Sequence, residues 1–404
     1  MTPRPVFRRR PRRQAGLLGL GLLLAPLLVA GGVSAGAPGL LESSGGPIPP
    51  AGTPLITATA AVLMDSRSGE VLYDRSAHLE WPPASTTKIM TALVAMESAP
   101  LDTPILITPR VARFRIGSVV GLPAGRRIPL HDLLYGLMLQ SGNDAAIAVA
   151  EGIGGTVDAF VARMNEAARR LGATDTHFSS PHGLYAPDHY STAYDLAVVT
   201  RAAMENPAFR EIVRTRRWEW TLPTGARRFL WNHNRLLARY QGADGVKTGY
   251  IHQAGQTLVA SAVRDGWRLI AVVLHARDMY GDASRLLSYG FDHYRSVELA
   301  PAGEELATVE VLGADTPVPA IVPETVYGAL APGETLVRHV MLFPRLTPPI
   351  HQGERIGEVA FYTSERLVGS APLVAAREAA PQAGLIGIMQ WAGRVVPGPA
   401  TPGL

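Results

Sequence analysis

The chain has 404 residues, 47% of them hydrophobic, and a formal net charge of +4 at pH 7. This length predicts two domains with terminal segments, and the apolar fraction is sufficient for substantial cores. Residues 1–35 hold six arginines and no acidic residue, so the rest of the chain is near neutral and offers no electrostatic basis for nucleic-acid binding. The absence of cysteine excludes disulfides and a thiol nucleophile.

Residues 1–35 have the pattern of a signal peptide. A basic stretch, RRRPRR, precedes an apolar run, and the small residues VSA follow where a cleavage site belongs. We therefore expect an exported protein of the periplasm or cell envelope. An uncleaved membrane anchor is the alternative, although the run is short and interrupted by Pro26. A linker rich in Gly, Pro and Ser is predicted over residues 36–54.

Residues 55–298 alternate between strand and helix patterns. Two strands are predicted around the turn SRSG, and a helical pattern begins at Ser85. Further helices are predicted at roughly 130–140, 143–153, 156–171 and 192–206. Strand patterns return in TRRWEWTL, GVKTGY, QTLVASAV and WRLIAVVLHA, followed by a helix, DASRLLSYGFDHY. This order favours an α+β fold, in which helices flank an antiparallel sheet.

The sequence pattern changes after residue 298. Residues 299–375 contain short β-like runs separated by Pro and Gly turns, which predicts a small all-β domain. Residues 376–404 form a tail with one predicted helix, GLIGIMQWAGRVV. Only Arg394 adds a charge to that helix, so contact with a membrane surface is left open beside ordinary packing.

Lysine occurs only twice in the chain, at Lys88 and Lys247. Lys88 follows Ser85 in the pattern S-x-x-K at a predicted helix start, where residues three apart share a face. Serine needs a base to become a nucleophile, and a lysine made neutral by burial or a nearby cation can serve, whereas arginine stays protonated. The backbone N–H at a helix start can also face a developing oxyanion.

Two further motifs follow in the chain. Ser141 and Asn143, in SGND, lie between two predicted helices, where they either reach a cleft or cap the next helix. Lys247, Thr248 and Gly249 form K-T-G on a predicted strand and supply a charge, a hydroxyl and room for close backbone approach. The three motifs together, in this order, indicate a serine acyl-transfer site.

These motifs and longer segments such as LLYGLMLQSGNDAA, SSPHGLYAPDHYSTAYDLA and NHNRLLARYQGADGVKTGY resemble the D-alanyl-D-alanine carboxypeptidases, which are low-molecular-weight penicillin-binding proteins. Residues 300–372 resemble the β-rich second domain of that family. The resemblance implies a β-lactamase/transpeptidase-like fold with a helical subdomain. It also implies removal of the terminal D-alanine from peptidoglycan stem pentapeptides, acylation by β-lactams, and no metal or cofactor.

The resemblance also implies roles for single residues. Ser85 is the acylated nucleophile and Lys88 its general base, while Ser141 and Asn143 assist proton transfer and hold the substrate amide. Lys247 and Thr248 bind the terminal carboxylate of the substrate, beside Gly249, where the substrate backbone can approach closely. The backbone N–H groups of Ser85 and Tyr250 form the oxyanion hole.

Two positions depart from the family pattern. Tyr250 stands where the family often has histidine after K-T-G. Relatives often carry a carboxylate-binding arginine seven residues before the paired leucines of the last catalytic helix, which here is Met279. Arg277 lies two positions earlier and is the candidate substitute.

Other functions stay open as alternatives. A DD-endopeptidase that cuts peptide cross-links would use the same motifs. A class A β-lactamase is disfavoured because no Glu-x-x-x-Asn lies between Asn143 and Lys247, and a catalytically inactive cell-wall binder is disfavoured by the intact motifs. His177, His182 and His189 share one segment, but their spacing fits no common zinc template.

Overall fold

The computed structural model describes residues 52–381, apart from 222–224, 226, 315 and 365. The predicted signal peptide, most of the predicted linker and the helix predicted in the tail lie outside the described residues.

The described helices all belong to the first part of the chain. A single 3₁₀ turn, Ala84–Thr87, leads directly into the first of them. The α-helices are α1 (Lys88–Ser98), α2 (Pro109–Arg113), α3 (Leu130–Leu139), α4 (Asn143–Gly154), α5 (Val157–Leu171), α6 (Ala193–Glu205), α7 (Pro207–Arg214), α8 (Leu236–Arg239) and α9 (Met279–His293).

Side-chain caps fix where several of these helices begin. Thr156 accepts a hydrogen bond from the backbone N–H of Ala159 at the start of α5, and Thr192 does the same for Asp195 in α6. The helices predicted from apolar periodicity agree with α3, α4, α5 and α6 to within one or two residues at each end. Those predictions are confirmed, whereas α2, α7 and α8 were not predicted.

The first part of the chain also contains nine strands in the described residues. They are β1 (Ala60–Asp65), β2 (Val71–Arg75), β3 (Pro104–Leu106), β4 (Arg127–Pro129), β5 (Arg217–Thr221), β6 (Arg227–Trp231), β7 (Ala243–Ile251), β8 (Gly255–Arg264) and β9 (Trp267–Ala276). Five of them form an antiparallel sheet in the order β2-β1-β9-β8-β7, which leaves β7 at an edge. The pairs β3–β4 and β5–β6 form separate two-stranded ribbons.

Alternate residues of the central strands enter different cores. In β1, Val62 and Met64 join a core formed largely by helices α1 to α7, whereas Ala61 and Leu63 join a second core against α9. Because both faces of the sheet are covered, its central strands are unbroken apolar runs in the sequence. The predicted α+β class, with a helical subdomain on one face of the sheet, is confirmed.

Residues after α9 form a small all-β region. Its strands are β10 (Arg295–Ala300), β11 (Glu305–Val309), β12 (Val318–Ile321), β13 (Val326–Leu330), β14 (Val337–Leu342), β15 (Arg355–Tyr362) and β16 (Leu367–Ala375). β10 pairs with β13, and the others form a sheet in the order β11-β12-β16-β15-β14 around a separate core. The boundary predicted near residue 298 falls inside β10.

A buried ion cluster joins the two regions. Arg366 pairs with Glu70 from the turn after β1 and with Glu334, and both Arg366 and Glu70 have side chains at most 10% exposed. Glu70 also accepts a hydrogen bond from the backbone N–H of Ala329 at 3.1 Å. Removing one partner would leave an uncompensated buried charge, so a single substitution at this junction should strongly lower the stability of the fold.

Among the described residues, no single helix has the length and apolar composition needed to cross a membrane. The helices α4 and α5 meet that criterion only when they are counted together, and the pair is bent by 88°.

Candidate active site

Ser85 lines a cleft of about 750 Å³ and lies in the 3₁₀ turn that immediately precedes α1. The 3₁₀ turn that carries it places residues i and i+3 almost in line, so Lys88 Nζ reaches Ser85 Oγ at 2.9 Å. Ala84, immediately before the serine, has a φ of 52°, which is strained for a residue with a side chain. The turn thus holds the serine in a conformation that the surrounding structure must enforce.

Lys88 is fully buried behind the serine and contacts three oxygen atoms. Besides Ser85 Oγ, its Nζ lies 2.7 Å from Asn143 Oδ1 and 2.6 Å from the backbone oxygen of His182. The pKa of Lys88 is lowered well below its usual value, first by burial and then by the charge of Lys247, while Asp144 acts in the opposite direction. The environment therefore favours the neutral amine.

The geometry also fixes where the lone pair of that neutral amine points. The side-chain amide of Asn143 donates through Nδ2 to the backbone oxygen of Ile116 at 2.8 Å, so Oδ1 faces Lys88. Asn143 Oδ1 and the His182 carbonyl can only accept hydrogen bonds, and they take the two amine protons. The lone pair is left facing the Ser85 hydroxyl, which can donate to it.

The SGND segment occupies the loop between α3 and α4. Ser141 has a φ of 59°, is 5% exposed and lines the cleft, whereas Asn143 starts α4 and is buried. The Asp144 carboxylate accepts hydrogen bonds from the backbone N–H groups of Val120 and Gly121 at 2.9 and 2.8 Å. Asp144 is therefore a structural anchor for the neighbouring loop as well as a first-turn acid.

The K-T-G segment lies on the edge strand β7, opposite the nucleophile turn. Lys247 is 1% exposed, its Nζ donates to the backbone oxygen of Thr248 at 2.8 Å, and burial lowers its pKa to about 7. Thr248, Gly249 and Tyr250 line the cleft. A Cβ on Gly249 would lie 3.0 Å from the Ser85 backbone nitrogen and 2.3 Å from Thr257 Oγ1, so only glycine fits at this position.

Arg277 lines the same cleft from the end of the sheet. It lies between β9 and α9, and its backbone N–H donates to Thr57 Oγ1 at 2.9 Å. An adjoining cavity of about 340 Å³ is lined by Arg277 and by Tyr250, among others. The structure thus brings all nine predicted site residues to one place, with six lining the cleft and the remaining three, Lys88, Asn143 and Lys247, buried next to it.

The sequence profile of the D-alanyl-D-alanine carboxypeptidases matches residues 49–278, more than half of the chain. The chain belongs to this carboxypeptidase family. The profile of the C-terminal domain of penicillin-binding protein 5 matches residues 294–380. The predicted family, fold class and enzyme class are therefore confirmed.

Relatives in the carboxypeptidase family are similar to this chain over most of their own length. The D-alanyl-D-alanine carboxypeptidase DacF of Bacillus subtilis is 32% identical over 81% of this chain and 87% of its own. Penicillin-binding protein 5 from Haemophilus influenzae has a similar structure, with a TM-score of 0.71 and 29% identity over 81% of this chain and 98% of its own. A mutant of the Streptomyces K15 DD-transpeptidase is 36% identical, with a TM-score of 0.57, over 59% of this chain and 99% of its own.

The sequence did not predict that residues 177–191 contact the turn that carries Ser85. Gly183 is so close to the nucleophile turn that a Cβ there would lie 1.8 Å from the backbone oxygen of Ala84. His189 Nδ1 accepts from the backbone N–H of Ser179 at 3.0 Å, so Nε2 carries the proton and donates to Thr87 Oγ1 at 2.9 Å. Thr87 in turn donates to the Ala84 carbonyl at 2.8 Å.

Burial keeps two histidines of this segment, His182 and His189, in the neutral form. It is the main cause that lowers the pKa of His182 to about 3 and that of His189 to about 4. Within the described part of the chain, no group of three or more His, Cys, Asp or Glu side chains is placed to hold a metal ion. The signal in the sequence was the unusual density of histidine between two helices, but spacing alone could not show that it supports the serine.

Proposed function

We propose that the chain removes the terminal D-alanine from peptidoglycan stem pentapeptides through an acyl-enzyme on Ser85. The observation that carries this proposal is the environment of Lys88, a buried amine whose two proton acceptors direct its lone pair at the serine. Lys88 accepts the serine proton as Ser85 Oγ attacks the D-Ala–D-Ala carbonyl carbon.

The remaining steps use the other cleft residues. The backbone N–H groups of Ser85 and Tyr250 stabilise the oxyanion, and the proton held by Lys88 passes by way of Ser141 to the nitrogen of the departing D-alanine. Water then attacks the acyl carbon, the proton that it loses is taken up by the same amine, and Ser85 leaves with a proton. Asn143 holds both Lys88 and the substrate amide.

The terminal carboxylate is bound on the β7 side of the cleft. Thr248 supplies a hydroxyl, Lys247 contributes positive potential from beneath the strand, and the exposed guanidinium of Arg277 supplies a two-pronged donor. Gly249 lets the substrate backbone approach the edge of the sheet. β-Lactams acylate the same serine because their carbonyl takes the place of the scissile one.

We also propose the arrangement of the whole chain. Residues 1–35 direct export to the periplasm or cell envelope, where the substrate occurs. Residues 55–298 form the catalytic domain and 299–375 a small β-rich domain. Support comes from the solved DD-transpeptidase, 99% of which aligns with only 59% of this chain, and from the two adjoining family profiles.

The experiment that tests this function combines hydrolysis and labelling. The purified protein should release D-alanine from a D-Ala-D-Ala-terminated pentapeptide, and penicillin should add one adduct, which peptide mapping places on Ser85. Ser85→Ala should lose both. An adduct in Ser85→Ala, or no D-alanine release by the folded wild type, would overturn the proposal.

A further inference from the structure

The β5–β6 hairpin presents a cluster of planar side chains on its outer face. Arg217 is paired across the strands with Trp231, and Glu219 with Phe229, so all four point to the same side. Trp231 is 58% exposed and Phe229 50% exposed, whereas Trp220, from the alternate face, is buried. We call the three residues Arg217, Phe229 and Trp231 the outer platform.

The platform is a contiguous surface. The Arg217 guanidinium lies 4.7 Å from the ring centre of Phe229 and 5.5 Å from that of Trp231, so it contacts both rings while each aromatic residue stays at least half exposed. Beside it, Glu219 forms an ion pair with Arg227. The two half-exposed aromatic side chains and the neighbouring paired charges form one flat surface that is apolar at its centre and charged at its edge.

The platform adjoins the cleft through the backbone. The carbonyl oxygen of Trp231 accepts a hydrogen bond from Gln140 Nε2 at 2.9 Å, and Gln140 immediately precedes Ser141. The next residue, Asn232, lines the cleft itself. Trp231 is therefore joined to the cleft in two ways, by its peptide bond to Asn232 and by its hydrogen bond to Gln140, the neighbour of Ser141.

The chemistry of the platform fits a sugar. A pyranose ring has faces of C–H groups that stack on aromatic rings, and hydroxyl and amide groups at its edge that pair with guanidinium and carboxylate. The stem peptide is attached to a sugar chain at the end opposite its D-alanines. A phospholipid surface is less well matched, because the acidic Glu219 lies on the same face as the two rings.

We propose that the outer platform binds the glycan that carries the stem peptide, so that the enzyme prefers sugar-linked substrate to free pentapeptide. This inference rests on the proposed function. It makes Trp231 a residue that determines substrate class, while the catalytic groups already described act on both substrates alike.

The test compares one peptide in two forms, the free pentapeptide and the same pentapeptide linked to its disaccharide. Trp231→Ala should lower kcat/KM for the disaccharide-linked form by about tenfold, the scale of one lost aromatic contact. Turnover of the free pentapeptide and acylation by penicillin should change by less than about twofold. Trp231→Phe, which keeps a ring, should retain most of the preference.

A matched control is Phe343→Ala, which removes an exposed aromatic ring from the β-rich region and should leave both substrates unaffected. If Trp231→Ala does not fold, judged by loss of penicillin acylation, Phe229→Ala replaces it with the same expectation. Equal loss on both substrates, or no loss on either, would overturn the glycan site. So would a Trp231→Ala variant that loses binding to anionic phospholipid vesicles but keeps its preference for the linked substrate.

Failure of this inference can be told apart from failure of the proposed function. If the wild type hydrolyses neither form, the function itself is wrong. If it hydrolyses both, and Trp231→Ala shows no selective loss, only the glycan site is wrong.

Discussion

The two lysines of the chain are both buried beside one cleft, but in different settings. Lys88 contacts oxygens from three separate segments, one of them the nucleophile, whereas Lys247 donates to the carbonyl of its own neighbour on β7. Burial lowers the pKa of both, and the charge of Lys247 lowers that of Lys88 further. The proposed function therefore needs an amine that can give up its proton at Lys88, whereas at Lys247 it needs only positive charge.

Lys88→Arg should have the largest effect, because guanidinium cannot become neutral. We expect acylation by penicillin to fall on the order of 10²–10⁴-fold, the usual contribution of a general base. Stopped-flow acylation and intact-mass measurement check this, with Lys247→Arg as the matched control. Acylation of Lys88→Arg near the wild-type rate would show that another group is the base.

The folded protein should become less stable in acid because of His189, which lies in the segment that contacts Lys88. Its folded-state pKa of about 4 lies below the ordinary 6.5, so the unfolded chain binds the proton first as the pH falls. The stability contributed by neutral His189 is complete above pH 6.5 and is lost between pH 6.5 and 4, by about 3 kcal/mol.

Urea unfolding of wild type and His189→Gln at pH 7, 5.5 and 4.5 tests this. The variant should show a smaller fall in the free energy of unfolding across the series. His78→Gln changes an exposed histidine, 58% accessible, and should keep the wild-type slope. An unchanged slope in His189→Gln would contradict the assignment.

Arg277→Ala tests whether this side chain binds the terminal carboxylate of the substrate beside β7. If the guanidinium binds the free α-carboxylate, turnover of the free-acid peptide should weaken by roughly 1.5–3 kcal/mol, the scale of a charged hydrogen bond. An otherwise identical peptide amide has no terminal charge, so its turnover should barely change. Equal losses on both would make Arg277 structural and favour cross-linked, endopeptidase-type substrates.

Lys247→Arg should have the smallest effect of the four. It keeps the positive charge but forces a larger, planar group into a fully buried position, so we expect about a tenfold loss of kcat/KM and a lower Tm. Lys247→Met, which keeps approximate volume and removes the charge, should lose more activity. A Met variant as active as the Arg variant would show that charge is not what this side supplies.

Much of this site could be predicted from the sequence because its chemistry restricts residue choice. A serine three residues before a lysine, an S-x-N loop and K-T-G each stand in segments whose periodicity also indicates a helix start, an interhelix loop and a strand. Periodicity located α3 to α6 for the same reason: apolar spacing is a local property. The short helices α2, α7 and α8 were missed because each spans about two turns or fewer, too few for a pattern.

The sequence by itself determined the class of fold, and it predicted the proposed nucleophile Ser85 and the two lysines of the site, since these depend on residue type and local spacing. Only the tertiary structure decided what suits Lys88 to its proposed role as base, because its acceptors come from Asn143 and from the His182 carbonyl, 55 and 94 residues away in the chain. The same holds for the link between His189 and the strained turn at Ala84, and for the outer platform next to the cleft. Long-range proximity, and the burial that comes with it, has no local signature in a sequence.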